Sequence, residues 1–398
     1  MQNRPGQLVI AAYTHFGATG LKGTEMYYFA REVWKRDNLR QVIAVSKKHC
    51  RYEFDAQLVD TLPGESYLIS GLGKLKEKVW GGFPARWLGE KIFDRYAALR
   101  LTAPGGILIT TPRLVETARK AKALGYKTFL YGSLCHPRYF LQQLQIEQEA
   151  SGLKGARQEK GRSLGLARLA AHIKSSDYII TISDFAKDSY VQQGFPSERV
   201  FVAPLGVDLQ KFRATPLPAN DRFTYLLVAH ADGATGPVKG LFYLVRAWAE
   251  LGLSDAQLLV CGRIGHEVQE QIRPYKDTLR NVEFTGPVSD PQLYYQKASV
   301  FVFPTVADSF GKVVLEAMAC GRPVITTPVP SPTVREGIDG FYFLPRDVEA
   351  LKARMLYCYH HRDQLAHMGI AASEQAQRFT WERFSKQIAD IVAEVAAA

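Results

Sequence analysis

The stretch from Phe303 to Thr327, FPTVADSFGKVVLEAMACGRPVITT, reads as a strand, a loop, a helix and a second strand. An apolar β-rich run ends at Pro304, the loop carries Asp308, Ser309, Phe310 and Gly311, and a helical period follows to Cys320. A loop feeding a helix start aims backbone N–H groups outward, here those of Phe310, Gly311 and Lys312, and the helix dipole adds partial positive charge. That arrangement suits a diphosphate or the hydroxyls of a sugar. Gly311 would let an anion approach the main chain closely. Asp308 and Glu316 stand eight residues apart, one on the loop and one in the second helical turn, so both can face one elongated ligand and accept hydrogen bonds from its hydroxyls.

Outward from this stretch the same alternation continues in both directions. Short apolar runs at residues 7–13, 41–46, 106–110, 127–133, 177–183 and 200–204 read as strands in the first half. In the second half they recur at 223–230, 256–262, 282–286, 300–304 and 323–327. Helical periods lie between most of them. Residues 24–36 open on Thr24 as N-cap, 183–194 open on Ser183 and stop at Gly194, and 380–395 open on Thr380. A long helical pattern fills 348–378. The class is α/β, with two doubly wound sets of similar size. The segment RATPLPANDR (213–222) has two prolines and no period, and the domain boundary is placed there. Ligands of such sheets sit beyond the carboxyl ends of the strands, so the chemistry belongs in the cleft between the halves.

Composition narrows the class further. The 398 residues are 46% hydrophobic and 22% charged, which excludes disorder and fibrous structure. No apolar run is long enough to span a bilayer, and the start has too short an apolar stretch for a secretion signal, so a cytoplasmic protein is expected. Five scattered cysteines without a CxxC pair argue against disulfides and structural zinc. The net charge is +11. Residues 1–210 hold 30 basic and 19 acidic side chains, against 20 and 20 in 211–398, so the first half carries the whole excess. A one-sided basic field fits a membrane surface, a nucleic acid or a charged substrate, and equally a solubilising surface without a partner.

The segment 303–327 resembles the signature of retaining glycosyltransferases of family 4, which have the GT-B fold. That family's pattern is two glutamates separated by seven residues in a sequence like EGFGLVxLEAMAxGxPVI. Glu316 matches the second, and Asp308 replaces the first. The resemblance implies that Glu316 binds the ribose of a nucleotide-sugar donor and that Asp308 contacts the hydroxyls of its sugar. It extends over nearly the whole chain. SSDYIITISDFAKDSYVQQGFPSERVFVAPLGVDLQKF (175–212) is similar to ADxIIxxSxxxxxxLxxxGxPxxRIxVxPxGVDxxxF, and NVEFTGPVSDPQLYYQKASVFVFPT (281–305) to NVxFxGxVxxxxLxxxYxxADVFVxPS. The terminal TWERF resembles the start of a last helix that in this fold crosses back to the first domain. The implied division is 1–212 with 380–398 as the acceptor-side lobe, and 213–379 as the donor lobe.

Further positions follow from the same resemblance. The family's VGRLxxxKG supplies a basic pair to the diphosphate, where Lys239 matches the lysine and His230 stands in place of the arginine. Gly20 and Gly23 in FGATGLKGTE resemble a glycine-rich loop near the diphosphate. YGSLCHPRYF (131–140) is similar to a GSxxH segment whose histidine lines the sugar pocket, here His136. Asp308, His136 and Lys239 are thus the catalytic candidates, and Glu316, Ser309, Phe310, Gly311, Lys312, His230, Gly20 and Gly23 the donor-binding ones. No carboxylate pair or His/Cys cluster has metal-ligand spacing, and the family works without a metal, so no cofactor is expected. The implied reaction retains anomeric configuration, the acceptor hydroxyl attacking on the leaving-group side and losing its proton to the departing phosphate.

For the acceptor the sequence offers residues 71–100, with seven Lys/Arg against three Asp/Glu and Trp80, Phe83, Trp87, Phe93 and Tyr96 interleaved. Such a surface suits an anionic leaflet and a lipid-linked or envelope-glycan acceptor, whereas the same aromatics buried would be core anchors. A second basic tract lies at 154–168. Other readings are a dinucleotide-dependent oxidoreductase, a nucleotide-sugar epimerase or phosphorylase, and a non-catalytic glycan or nucleic-acid binder. GATGLKG has the wrong spacing for a dinucleotide fingerprint, and CGRIGH (261–266) is incomplete. No nucleic-acid module is recognisable.

Overall fold

Leu8, Val9, Ile10 and Ala11 pair on one side with β-rich residues 39–43 and on the other with 107–110, which sets the centre of the first sheet. The computed structural model describes residues 8–16, 21–47, 54–63, 85–150, 160–218, 222–233, 236–329 and 333–398. The first sheet comprises β1 (Leu8–Phe16), β2 (Leu39–Lys47), β3 (Val59–Thr61), β4 (Gly106–Thr110), β5 (Tyr126–Gly132), β6 (Tyr178–Thr181) and β7 (Val200–Val202). The second comprises β8 (Phe223–Val228), β9 (Ala256–Cys261), β10 (Val282–Gly286), β11 (Val300–Phe303), β12 (Val324–Thr326) and β13 (Gly340–Tyr342). Their orders are β3-β2-β1-β4-β5-β6-β7 and β10-β9-β8-β11-β12-β13, with parallel pairing throughout. Each order reverses at its first strand, the crevice where doubly wound sheets hold ligands.

Helices cover both sheets: α1 (Leu21–Lys35), α2 (Ala85–Arg100), α3 (Val115–Ala123), α4 (Pro137–Ala150), α5 (Lys160–Ser175) and α6 (Asp184–Val191) in the first half. The second half adds α7 (Leu241–Leu251), α8 (His266–Ile272), α9 (Pro291–Lys297), α10 (Lys312–Ala319), α11 (Val348–His360), α12 (Arg362–Ala376) and α13 (Trp381–Ala397). Ser183 and Thr380 cap α6 and α13 as their sequences predict, each hydroxyl accepting an N–H three residues on at 3.1 Å. Thr24 does not cap α1, which begins three residues earlier at Leu21 and places Thr24 inside the helix. The long pattern 348–378 is two helices, divided at His361.

The last helix explains how the two halves are tied. Trp381, Phe384, Ile388, Ile391 and Val392 form its buried stripe, at the spacing of one helical face. The stripe lies along α1, where the Trp381 and Tyr28 rings stack 5.4 Å apart. Ion pairs Arg31–Glu382 (3.4 Å) and Arg36–Asp390 (2.7 Å) flank it, and Gln387 donates to the Val202 carbonyl of β7. Gly206 lets the crossing come close, because a Cβ there would stand 2.3 Å from the Trp381 nitrogen.

The basic tract divides by exposure. Residues 64–84, with Trp80 and Phe83, and 154–159 of the second tract lie outside the described residues. On α2, Phe93 is buried behind the first sheet and the half-buried Tyr96 donates to the Thr61 carbonyl at 2.7 Å, so these two rings are core anchors. Trp87, Lys91, Arg95 and Leu99 follow one another at four-residue spacing along the other face, the lysine ammonium 5.4 Å from the Trp87 ring and Leu99 77% exposed. Among the described residues no helix is long and apolar enough to cross a membrane.

His172 of α5 is fully buried and structural. Its Nδ1 accepts the Leu114 N–H at 3.1 Å, leaving Nε2–H to donate to Thr110 Oγ1 at 3.0 Å. Burial pushes its pKa down to about 3, so the ring is neutral.

Candidate functional site

The loop after β11 is shaped by a short 3-10 turn, Pro237–Lys239, that precedes α7. Val238 O accepts from Thr305 Oγ1 at 2.7 Å and from the Val306 N–H at 2.9 Å. Gly240 makes the approach possible: its φ is +77°, and a Cβ would meet the Pro304 carbonyl at 1.9 Å. The turn thereby sets Lys239 Nζ 2.6 Å from Asp308 Oδ2. The other oxygen, Oδ1, accepts the N–H of Ser309 at 2.7 Å and those of Phe310 and Gly311 at 3.4 Å. These amides, two of which the sequence aims at a ligand, are therefore turned onto Asp308. Burial raises the Asp308 pKa, but the Lys239 ammonium and the loop amides outweigh it and hold the carboxyl below its ordinary value. Gly311 has φ +63° at the N-cap of α10, so its first role is to supply a left-handed backbone.

Ser309 and Phe310 face inward. Ser309 Oγ accepts the Cys135 N–H at 2.6 Å, and its carbonyl accepts the Ser183 hydroxyl, so this loop of the second lobe is fastened to two loops of the first. Phe310 is buried with its ring edge-on to Phe379. The same junction brings in His136. Its backbone N–H donates to Ser189 Oγ at 2.8 Å, its ring stands edge-on to Tyr190, and Nδ1 accepts the Arg138 N–H at 3.2 Å. Burial, helped by Arg138, lowers its pKa to about 4, so the imidazole is neutral at pH 7 with its proton on Nε2. Cys135 lies within electrostatic range of Asp308 and Lys239, yet burial pushes its thiol up to about 12 and keeps it protonated.

Glu316 is 8% exposed on α10. Tyr295 OH bonds to its Oε2 at 3.2 Å, and Lys312 Nζ lies 3.3 Å from Oε1. Burial dominates and raises its pKa despite both partners, a carboxylate short of solvation and able to accept further hydrogen bonds. Lys312 also stands 6.0 Å from the Trp381 ring, which connects this corner to the crossing helix.

The remaining predicted positions fall elsewhere. His230 is exposed beyond β8, where Nδ1 accepts the Arg263 N–H at 3.2 Å, while Lys239 and Asp308 pair with each other. Gly20 lies outside the described residues, and Gly23 sits in the first turn of α1 rather than in a loop. Sequence reasoning passed over Arg263, whose guanidinium is held by Asp232 at 2.9 Å. It also passed over Tyr295, which carries no motif of its own. Arg263 had a signal, since it directly follows Cys261-Gly262 at the end of β9. A cavity of ≈ 420 Å³ lies at the amino ends of β2 and β5, away from this site; there Arg100 pairs with Asp60 at 2.9 Å and Arg40 donates to the Tyr126 hydroxyl at 3.3 Å. Among the described residues no group of three His, Cys, Asp or Glu could hold a metal ion.

Residues 225–361 match the family described as Glycosyl transferases group 1. The O-antigen chain mannosyltransferase B of Escherichia coli is 26% identical over 306 residues, covering 71% of this chain and 78% of the relative. A D-inositol 3-phosphate glycosyltransferase of Streptomyces bingchenggensis is 30% identical over 249 residues, 56% of this chain and 54% of the relative. Among solved structures, HepE of Anabaena in complex with UDP superposes with a TM-score of 0.66 at 17% identity, covering 98% of this chain and 100% of the other.

Proposed function

As a GT-B glycosyltransferase built around a Glycosyl transferases group 1 domain, this chain, we propose, moves a hexosyl group from a nucleotide-sugar to a hydroxyl of an envelope glycan or lipid-linked acceptor, with retention of anomeric configuration. The observation that carries the reading is the convergence of Asp308, Lys239 and the His136 loop where loops of the two lobes are hydrogen-bonded through Ser309. Glu316 accepts the ribose hydroxyls, and Lys239 neutralises charge that builds on the departing diphosphate. Asp308 accepts from hydroxyls of the transferred sugar. His136, neutral with Nε2–H, donates to the sugar or the leaving oxygen. The acceptor hydroxyl gives its proton to that oxygen. No metal is required in this reading, since Lys239 and the start of α10 supply the positive charge. We divide the chain accordingly into an acceptor lobe, 1–212 with 380–398, and a donor lobe, 213–379.

The test is a thermal-shift screen with UDP, GDP, ADP and CMP conjugates, because a ligand specific to the folded state raises apparent stability. A shift with one nucleotide and its sugars supports the reading, and no shift with any of them removes it. Turnover unaffected by a chelator would support metal independence.

A second reading concerns where the acceptor is met. The Trp87, Lys91, Arg95 and Leu99 face of α2, beside exposed Arg119 and Lys120 of α3, favours docking on an anionic leaflet from the cytoplasmic side. Flotation with anionic vesicles at low salt tests it. Absence of binding rejects it.

A further inference from the structure

Helix α4 starts beside His136, and Tyr139, Gln143 and Glu147 recur along it at four-residue spacing, one face of the helix. That face meets the second lobe. Glu147 is 2% exposed; its Oε2 accepts the Tyr243 hydroxyl at 2.9 Å and its Oε1 the Arg346 Nε–H at 2.7 Å. Arg346 also donates from Nη2 to Gln143 Oε1 at 2.8 Å. A carboxylate withdrawn from water between two lobes is retained only where partners such as these compensate it. Arg346 has φ +73°, a backbone that L side chains rarely adopt, so the turn between β13 and α11 takes an unfavoured shape while its guanidinium reaches α4.

The cluster is wired to both sides of the candidate site. Through α4, Glu147 is continuous with His136. Tyr243 sits in the first turn of α7, four residues after Lys239, and the intervening Gly240 is pressed on the Pro304 carbonyl. Nothing in the donor chemistry uses Glu147, Tyr243 or Arg346. We propose that Glu147 is a positioning residue that, through Tyr243 and Arg346, holds the two lobes at the separation at which His136 and Lys239 flank the same cleft. The inference rests on the donor-site reading above only for what the spacing is for; the spacing itself is measurable without it.

The test compares the full-length chain with Glu147→Ala, Arg346→Gly, Tyr243→Phe and Glu147→Gln by small-angle X-ray scattering, thermal melting and calorimetric titration with UDP and with GDP. Arg346→Gly suits its left-handed backbone and keeps the fold while removing the bridge, so the test stands even if Glu147→Ala does not fold. A compact chain of this length has a radius of gyration of about 21 Å, and Arg346→Gly and Glu147→Ala are expected to raise the wild-type value by about 1 Å with a single cooperative melt. Glu147→Gln keeps an acceptor for Arg346 and an amide for Tyr243, and restores the wild-type curve. Tyr243→Phe falls between. Affinity for the nucleotide that binds stays within about two-fold in all of them, because Glu316 and Lys239 are untouched. Scattering by Arg346→Gly that superimposes on the wild type overturns the proposal. If the wild type binds neither UDP nor GDP, the donor reading loses its support while the scattering comparison still decides the positioning role.

Discussion

Lys239 Nζ stands 2.6 Å from Asp308 Oδ2, so the cation available to a diphosphate is already matched by a carboxylate of the facing loop. In the proposed reaction an arriving donor would exchange one ionic partner for another instead of filling an uncompensated site. Lys239→Ala would leave Asp308 with only the loop amides. It is expected to cost about 1–3 kcal/mol of stability, read by urea unfolding, and to abolish transfer. Unchanged stability would mean that the pair contributes nothing to the fold.

Glu316 makes a prediction of opposite signs. Its pKa is raised by burial, so the folded protein holds that proton more tightly than the unfolded chain, and stability falls as pH rises through the raised value. Glu316→Gln removes the penalty. The unliganded variant should melt higher than the wild type near neutral pH, while nucleotide affinity drops roughly ten-fold with the loss of a charged acceptor. A variant that melts higher and binds as well as the wild type would sink the ribose role.

The histidines set the acid limit. His136 and His172 have pKa values lowered to about 4 and about 3, against about 6.5 in an unfolded chain. As pH falls below about 6.5 the unfolded chain takes up these protons first, so stability declines progressively down to the folded values. The melting temperature should therefore drop between pH 7 and pH 4, and a His172→Gln background should flatten that slope. In the same terms, His136 contributes no inflection near pH 6.5 to the rate profile of transfer. Such an inflection, if abolished by His136→Gln, would contradict its neutral, buried state.

Gly240→Ala tests the backbone approach that places Lys239. An added methyl collides with the Pro304 carbonyl and must also accept φ +77°. The expected loss is about 2 kcal/mol or more, with donor affinity falling in step, measured by unfolding and nucleotide titration. A variant of wild-type stability would show that the turn can retreat without consequence.

Periodicity carried most of the architecture because long buried strands and amphipathic helices write their environment into composition. Eleven strand segments lie where apolar runs occur, whereas Val59–Thr61 carries a single apolar residue beside Asp60 and Gly340–Tyr342 opens on a glycine, so neither reads as a strand. The start of α1 was obscured by Gly23, which reads as loop when no neighbour is known. At the site, the carboxylates were visible through spacing in one continuous stretch. Lys239 was legible only through the resemblance of its segment to VGRLxxxKG. The inward turn of Ser309 was not, since its partners Cys135 and Ser183 are more than 120 residues away and only folding supplies them. Glu147 was equally silent, because a single acid on a helix looks like surface until Tyr243 and Arg346 arrive from the other lobe.

The return of α13 to the first sheet makes the molecule a closed circuit of chain. A fragment ending near residue 212 would expose the α1 surface that Trp381 and Phe384 cover, and its complement would carry an apolar helix with no seat. Severing the polypeptide at 213–222 is therefore expected to leave each piece with an uncovered apolar face, and co-expression is expected to let the terminal helix act as an intermolecular clasp that rebuilds the whole.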